Sequence, residues 1–93
     1  MEIIHHETPQ GGRFVASEDG MGTGFLSYIR RDDSTFIIDH TEVRPEFRGR
    51  DIARQLVLEA AAYARANSLR IRPRCPYARR VFERTPEIQD LLA

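Results

Sequence analysis

The change of period after residue 43 constrains the fold of this chain more than any other feature. The residues TFIIDHTEV (35–43) are rich in β-branched and aromatic side chains, which favour a β-strand. Pro45 ends that strand, because proline has no N–H to donate to a sheet. From residue 51 to residue 67 apolar side chains recur at intervals of four, among many alanines and leucines. This pattern predicts a helix that follows the strand directly.

The remaining segments predict strands before this helix and a strand and a helix after it. Polar residues at 32–34 join two strand patterns and predict an antiparallel hairpin. The predicted strands are EIIHHE (2–7), RFVAS (13–17), GFLSYIRR (24–31), residues 35–43 and LRIRP (69–73), and YARRVFERT (77–85) is the second helix. The order predicts an α/β domain of the α+β type: antiparallel strands one to four, a helix, a parallel strand five and a C-terminal helix.

Length and composition favour one globular domain over residues 1–93. No apolar run approaches the roughly 20 residues that span a bilayer. The chain does not open with a basic and then apolar leader, and its single cysteine, Cys75, cannot form an internal disulfide. We therefore expect a cytoplasmic protein in a reducing compartment.

Charge is distributed unevenly along a chain whose formal net charge is zero. Residues 1–43 carry three arginines against eight acidic residues, whereas residues 44–84 carry eleven arginines against four. A neutral protein with one basic half suggests a localised anionic ligand rather than general affinity for nucleic acid. No cluster of metal-ligand residues is evident, since His5 and His6 are adjacent on a strand and point to opposite faces.

A phosphate site is suggested where the fourth strand leads into the helix. The first N–H groups of a helix lack partners, and the helix dipole adds a partial positive charge. Arg48 and Arg50 would supply further positive charge, and Gly49 would let the backbone approach an anion closely. The alternative interpretation is that both arginines are solvated surface groups.

The segment VRPEFRGRDIARQL (43–56) resembles the acetyl-CoA-binding signature of the GNAT superfamily of N-acetyltransferases. In that superfamily an Arg/Gln-x-x-Gly-x-Gly/Ala loop wraps the pyrophosphate of CoA. Arg48 takes the first place of that motif, Asp51 stands where the first glycine is usual, and Ala53 takes the last place. Together with RPRCPYARRVFERTPEIQDLL, the similarity covers most of residues 35–92 and looks like the small, single-lobe, YjdJ-like group.

The resemblance implies an N-acetyltransferase that moves the acetyl group of acetyl-CoA to an unidentified amine. Backbone N–H groups of residues 49 to 53 would hold the pyrophosphate, and the strand end at Val43 would pair with the pantetheine arm. The second helix would begin beside the thioester, at residues 75–77. The implied CoA-binding residues are Val43, Arg48, Gly49, Arg50, Asp51, Ile52 and Ala53.

Asp51 departs from the family pattern. Aspartate is a favoured helix N-cap, and a capping carboxylate would compete with the anion for the same N–H groups. We expect the side chain to turn outward instead and to pair with Arg48 or Arg54. A carboxylate beside the diphosphate predicts weakened CoA affinity.

Three residues are candidates for the chemistry of acetyl transfer. His40, on the strand that leads to the loop, could act as a general base, with Glu42 on the same face of the strand. Cys75 could act as a thiolate nucleophile or a proton donor at the helix N-terminus, as the matching cysteine in the similar small proteins suggests. Tyr77 resembles the tyrosine with which many GNAT enzymes protonate the departing thiolate. The alternatives are a partly buried histidine with a backbone partner, a buried apolar cysteine and a core tyrosine.

The short segment TPQGG (8–12) leaves no room for the helices that usually build the acceptor wall of GNAT enzymes. The acceptor side would therefore be open to a protein or polyamine amine, or would be completed by a partner such as a second copy of the chain. A non-catalytic CoA-binding or regulatory module of the same fold is the alternative. A nucleic-acid-binding domain is a third possibility, but few exposed aromatic residues accompany the arginines.

Overall fold

One mixed five-stranded sheet organises the computed structural model, which describes residues 1–93. Its strands lie in the order β1-β2-β3-β4-β5. Strands β1 to β4 are antiparallel neighbours, and β5 runs parallel to β4. The strands are β1 (Glu2–Thr8), β2 (Gly11–Glu18), β3 (Met21–Arg30), β4 (Thr35–Val43) and β5 (Arg70–Pro73).

Two α-helices cover one face of this sheet. Helix α1 (Ile52–Ala66) carries the chain from β4 to β5, and helix α2 (Pro76–Arg84) follows β5. Short 3-10 segments at Pro45–Phe47 and Pro86–Leu91 flank them. The predicted order of strands and helices, and the α+β class, are confirmed. Neither α-helix combines the length and apolar character needed to cross a membrane.

The glycines at 11 and 12 are part of β2, so the predicted start of the second strand at residue 13 is wrong. A side chain at Gly12 would lie 2.5 Å from the His6 carbonyl oxygen and 2.7 Å from the Tyr28 hydroxyl. These glycines therefore allow close pairing of three strands rather than ending one. The connection from β1 to β2 shrinks to Pro9 and Gln10, which leaves no inserted helix on that side.

The core lies between the sheet and the helices. Its sheet side is formed by Phe14, Leu26 and Phe36, and its helix side includes Leu56 and Phe82, all nearly inaccessible to solvent. Burying an apolar side chain of this size stabilises a fold by roughly 1.5–3 kcal/mol. The opposite face of the sheet has no helix over it, and Ile4 and Ile29 remain about half exposed there.

A bulge in β4 changes which side chains face the helices. Ser27 pairs with His40 and Tyr28 with Ile38, so Asp39 is an extra residue on β4. An extra residue reverses the alternation of a strand. Before the bulge Ile38 faces the core; beyond it Thr41 takes that face, whereas His40 turns to the open face of the sheet.

Candidate functional site

A cleft of about 540 Å³ opens where the carboxyl end of β4 meets the N-terminus of α1 and the start of α2. The strand contributes Thr41 and Val43, and α2 contributes Tyr77. The loop and the first turn of α1 complete the wall with Phe47, Arg48, Gly49, Asp51, Ile52 and Ala53. Most of the residues predicted to bind the cofactor therefore line one cavity.

One side of the cleft is a free edge of β4. Strand β5 pairs with β4 only as far as Ile38, whose carbonyl accepts the N–H groups of Arg74 and Cys75 at 2.9 and 3.1 Å. On the other edge, the Arg44 N–H donates to the Thr23 carbonyl of β3 at 2.8 Å. Because backbone groups alternate along an antiparallel strand, those of Thr41 and Val43 point toward the cleft. An extended ligand could pair with them as an additional strand would.

The other end of the cleft is a nest of free amides. The backbone N–H groups of residues 49 to 54 donate to no oxygen of the chain, and the first bond of α1 is Gln55 N–H to the Asp51 carbonyl at 3.1 Å. Gly49 and Asp51 both have positive φ, at 84° and 64°. This backbone turns several N–H groups toward one point, which is the geometry that binds phosphate.

Asp51 occupies a left-handed position that glycine adopts without strain. Its side chain makes no capping hydrogen bond, so the alternative of a capping aspartate that competes for the N–H groups is excluded. The carboxylate instead lies 3.6 Å from Nη1 of Arg54. Outward pairing was expected, and Arg54, rather than Arg48, is the partner.

The two arginines of the loop differ in their surroundings. Arg48 lines the cleft, is exposed and forms no ion pair. Arg50 turns away, with its guanidinium 5.2 Å from the centre of the Phe47 ring and 3.4 Å from a Glu18 carboxylate oxygen. Of the two, only the Arg48 side chain is free to neutralise an anion in the cleft; Arg50 contributes its backbone N–H.

The three candidate catalytic residues do not lie together. Tyr77 lines the cleft and is about one-third exposed. Cys75 is a buried free thiol directly before α2 and does not line the cleft. His40 lies on the open face of the sheet, because the bulge at Asp39 turns it away from the cleft. The Tyr77 side chain is therefore the one already placed toward a ligand.

His40 forms a pair with Glu42 on that open face. Its Nε2 lies 3.3 Å from a Glu42 carboxylate oxygen, and both side chains are more than half exposed. The expectation that they share a face is confirmed. The alternative of a partly buried histidine with a backbone partner is wrong.

Sequence reasoning missed Thr41 and Phe47 as cleft residues. The Thr41 hydroxyl oxygen is buried and has no hydrogen-bond partner, which is unusual because buried polar atoms are nearly always paired. Strand alternation back from Val43 puts Thr41 on the cleft side, but alternation forward from Ile38 puts it on the opposite side, because that count omits the bulge at Asp39. Phe47 carried no such signal, because it lies in the 3-10 segment between the strand and the loop.

Comparisons with solved structures place the fold among acetyltransferases. A GCN5-like protein from Staphylococcus aureus, determined by NMR, is 26% identical, with 99% of this chain and 87% of that chain aligned and a TM-score of 0.75. Aminoglycoside N-acetyltransferase AAC(6')-Iy in complex with CoA is 20% identical, with 83% and 67% aligned and a TM-score of 0.65. A Bacillus anthracis protein solved with acetyl coenzyme A is 16% identical, with 84% and 48% aligned and a TM-score of 0.66.

The sequence itself also matches a family. No curated protein is similar enough to this chain to count as a match. The family described as GCN5-related N-acetyl-transferase, in contrast, matches residues 13–91, which include every residue of the cleft. This chain therefore belongs to the GCN5-related N-acetyltransferase family.

Proposed function

We propose that this protein binds acetyl-CoA in the cleft and transfers its acetyl group to an amine. The observation that carries the proposal is the continuity of the free β4 edge with the free N–H groups of residues 49 to 54. CoA combines an amide-containing pantetheine arm with a diphosphate. Such a ligand needs a strand-like edge and an anion nest side by side.

The chain offers a group for each part of that ligand. Backbone groups of Thr41 and Val43 would pair with the pantetheine amides, and Val43 and Ile52 supply apolar wall. The N–H groups of residues 49 to 54, including those of Arg50 and Ala53, would hold the diphosphate, with Arg48 adding charge-assisted bonds. Structural relatives solved in complex with CoA and with acetyl coenzyme A support this assignment.

Acetyl-CoA supplies an activated thioester, and the protein must orient it, receive a neutral amine and manage protons. Tyr77 lines the cleft, and its hydroxyl would give a proton to the departing thiolate. The Thr41 hydroxyl has no partner in the chain, but its oxygen is buried, so it would donate a hydrogen bond to a ligand carbonyl only after the side chain rotates toward the cleft.

His40 and Cys75 would take part in acetyl transfer under different structural conditions. His40, oriented by Glu42, can take a proton from an amine that approaches from the open face of the sheet. Cys75 can accept an acetyl group only after the start of α2 moves to expose its thiol. We propose the open face as the acceptor side, because no inserted helix covers it.

Calorimetric titration with acetyl-CoA at low salt tests the binding step. We expect a micromolar or lower dissociation constant, and a variant Arg48→Gln that weakens it about tenfold, since a charge-assisted bond is lost. Arg31→Gln is the matched control, because Arg31 lies beyond the opposite end of β4. Absence of binding at millimolar acetyl-CoA would refute the proposal.

A non-catalytic CoA-binding module is the second candidate function, and the Asp51 carboxylate at the mouth of the cleft favours it. Release of the free CoA thiol in the presence of polyamines, lysine peptides and protein N-termini separates the two functions. Binding without turnover on any amine would favour the module.

A cytoplasmic location and a completed site in a homo-oligomer remain predictions, which fractionation and light scattering would test.

A further inference from the structure

We propose that a second pocket of this protein, next to the cleft, binds the 3'-phosphate of CoA. The pocket has a volume of about 270 Å³ and lies between the first turn of α1 and the outer face of α2. Arg54 lines it from α1, and Arg80 and Arg84 line it from α2. The inference rests on the proposed binding of acetyl-CoA and assigns a further part of the same ligand.

The charge of this pocket suits a phosphomonoester. Three guanidinium groups face one carboxylate, that of Asp51, which lies 3.6 Å from Arg54. The side chains of Arg80 and Arg84 form no ion pair and no hydrogen bond with the chain. They are four residues apart on one helix face, where like charges repel each other. A dianion between them would relieve that repulsion and accept charge-assisted bonds from planar guanidinium donors.

The position of the pocket matches the covalent structure of CoA. Asp51 and Tyr77 line both the pocket and the cleft, so the two cavities are neighbours. The 3'-phosphate of CoA is attached to the ribose that also carries the diphosphate. When the diphosphate lies on the N–H groups of residues 49 to 54, the monoester would lie about one ribose away, and the pocket that holds the α2 arginines adjoins these N–H groups at Asp51.

Arg80 is the more diagnostic of the two α2 residues. Arg84 lies in the last turn of α2, where the helix dipole favours a cation without any ligand. Arg80 lies in the middle of the helix, where the dipole gives no such reason for a positive charge. An anionic ligand accounts for both positions.

The test compares CoA with 3'-dephospho-CoA by calorimetric titration of the whole chain. We expect the wild-type protein to bind CoA about tenfold more tightly, as the loss of a charge-assisted contact predicts. In Arg80→Gln/Arg84→Gln this ratio should fall toward one, with less than about a twofold change in the affinity for 3'-dephospho-CoA. Arg80→Gln alone should lower the ratio part of the way, and Arg31→Gln should leave it unchanged.

Each result decides between the two proposals. Equal affinity of the wild-type protein for both ligands would overturn the 3'-phosphate site and leave the CoA cleft intact. A tenfold preference that survives in the double variant would overturn the assignment to these arginines. Failure of the wild-type protein to bind either ligand would overturn the proposed function itself. Unchanged affinity for 3'-dephospho-CoA also shows that the variants are folded.

Discussion

Replacing Asp51 with glycine is expected to strengthen CoA binding while leaving the stability of the protein nearly unchanged. Asp51 lies at φ 64°, ψ 18°, a left-handed conformation that costs most side-chain-bearing residues about 1–2 kcal/mol and glycine almost nothing. Glycine, however, loses about 0.4–1 kcal/mol more backbone entropy on folding. The exposed pair with Arg54 contributes at most about 0.5 kcal/mol. These effects nearly cancel in the free energy of unfolding.

The effects of the substitution on ligand affinity do not cancel in this way. The Asp51 carboxylate lines the cleft beside the amide nest, where a bound diphosphate would repel it. Because that side chain is 56% exposed and paired with Arg54, we take the repulsion as about 1 kcal/mol, near the lower end of Coulomb estimates for surface charges. Its removal should tighten the dissociation constant about fivefold.

Asp51→Asn is the matched control, because asparagine also tolerates the left-handed region but carries no charge. Both variants should bind acetyl-CoA more tightly at low salt, and the difference from the wild-type protein should shrink near 1 M salt. Calorimetric titration measures both effects. Unchanged dissociation constants in both variants would refute the account of the loop in which this carboxylate opposes the anion.

Three further changes test other parts of the site and the core. Thr41→Val should raise the free energy of unfolding of the ligand-free protein by about 1 kcal/mol, because a buried unpaired hydroxyl is removed, and it should also lower turnover. Denaturant unfolding measures the stability, and release of the CoA thiol measures turnover. A destabilised variant would contradict the finding that this hydroxyl is unpaired. Tyr77→Phe should leave the CoA dissociation constant within about twofold and lower turnover at least tenfold; unchanged turnover would exclude the tyrosine as proton donor. Burial lowers the pKa of His5, which stacks on Phe14 at 4.0 Å and contacts the Tyr28 hydroxyl at 2.6 Å. The unfolded chain therefore binds a proton at His5 more readily than the folded protein does, so the protein should lose stability as pH falls below about 6.5. Between pH 7.5 and pH 5 the melting temperature of His5→Gln should fall less than that of the wild-type protein. Equal losses of melting temperature in the two proteins would contradict this account of His5.

The order of the elements could be predicted because each element depends on a local pattern. The strands alternate and the helices repeat at intervals of four; Pro45 follows the fourth strand, and Pro86 follows the second α-helix. The proposed binding loop could also be located, since a strand, an arginine-glycine segment and a helix follow one another directly. Its free N–H groups follow from the geometry of any helix start.

The distribution of the catalytic candidates could not be predicted, because it depends on pairing between distant segments. The bulge at Asp39 arises from the register between β3 and β4, and no local pattern marks it. It turns His40 and Glu42 to the open face and brings Thr41 into the cleft. Cys75 is buried, and its backbone N–H donates to the Ile38 carbonyl of β4, a contact between distant segments.

The sequence alone therefore determined the class of fold, the position of the proposed phosphate loop and the chemistry that this loop can offer. Tertiary structure decided which side chains share the cleft. Periodicity is a property of neighbouring residues, whereas the face that a strand residue occupies also depends on every bulge in its pairing with another strand. One extra residue, Asp39, is enough to exchange the residues on the two faces beyond it.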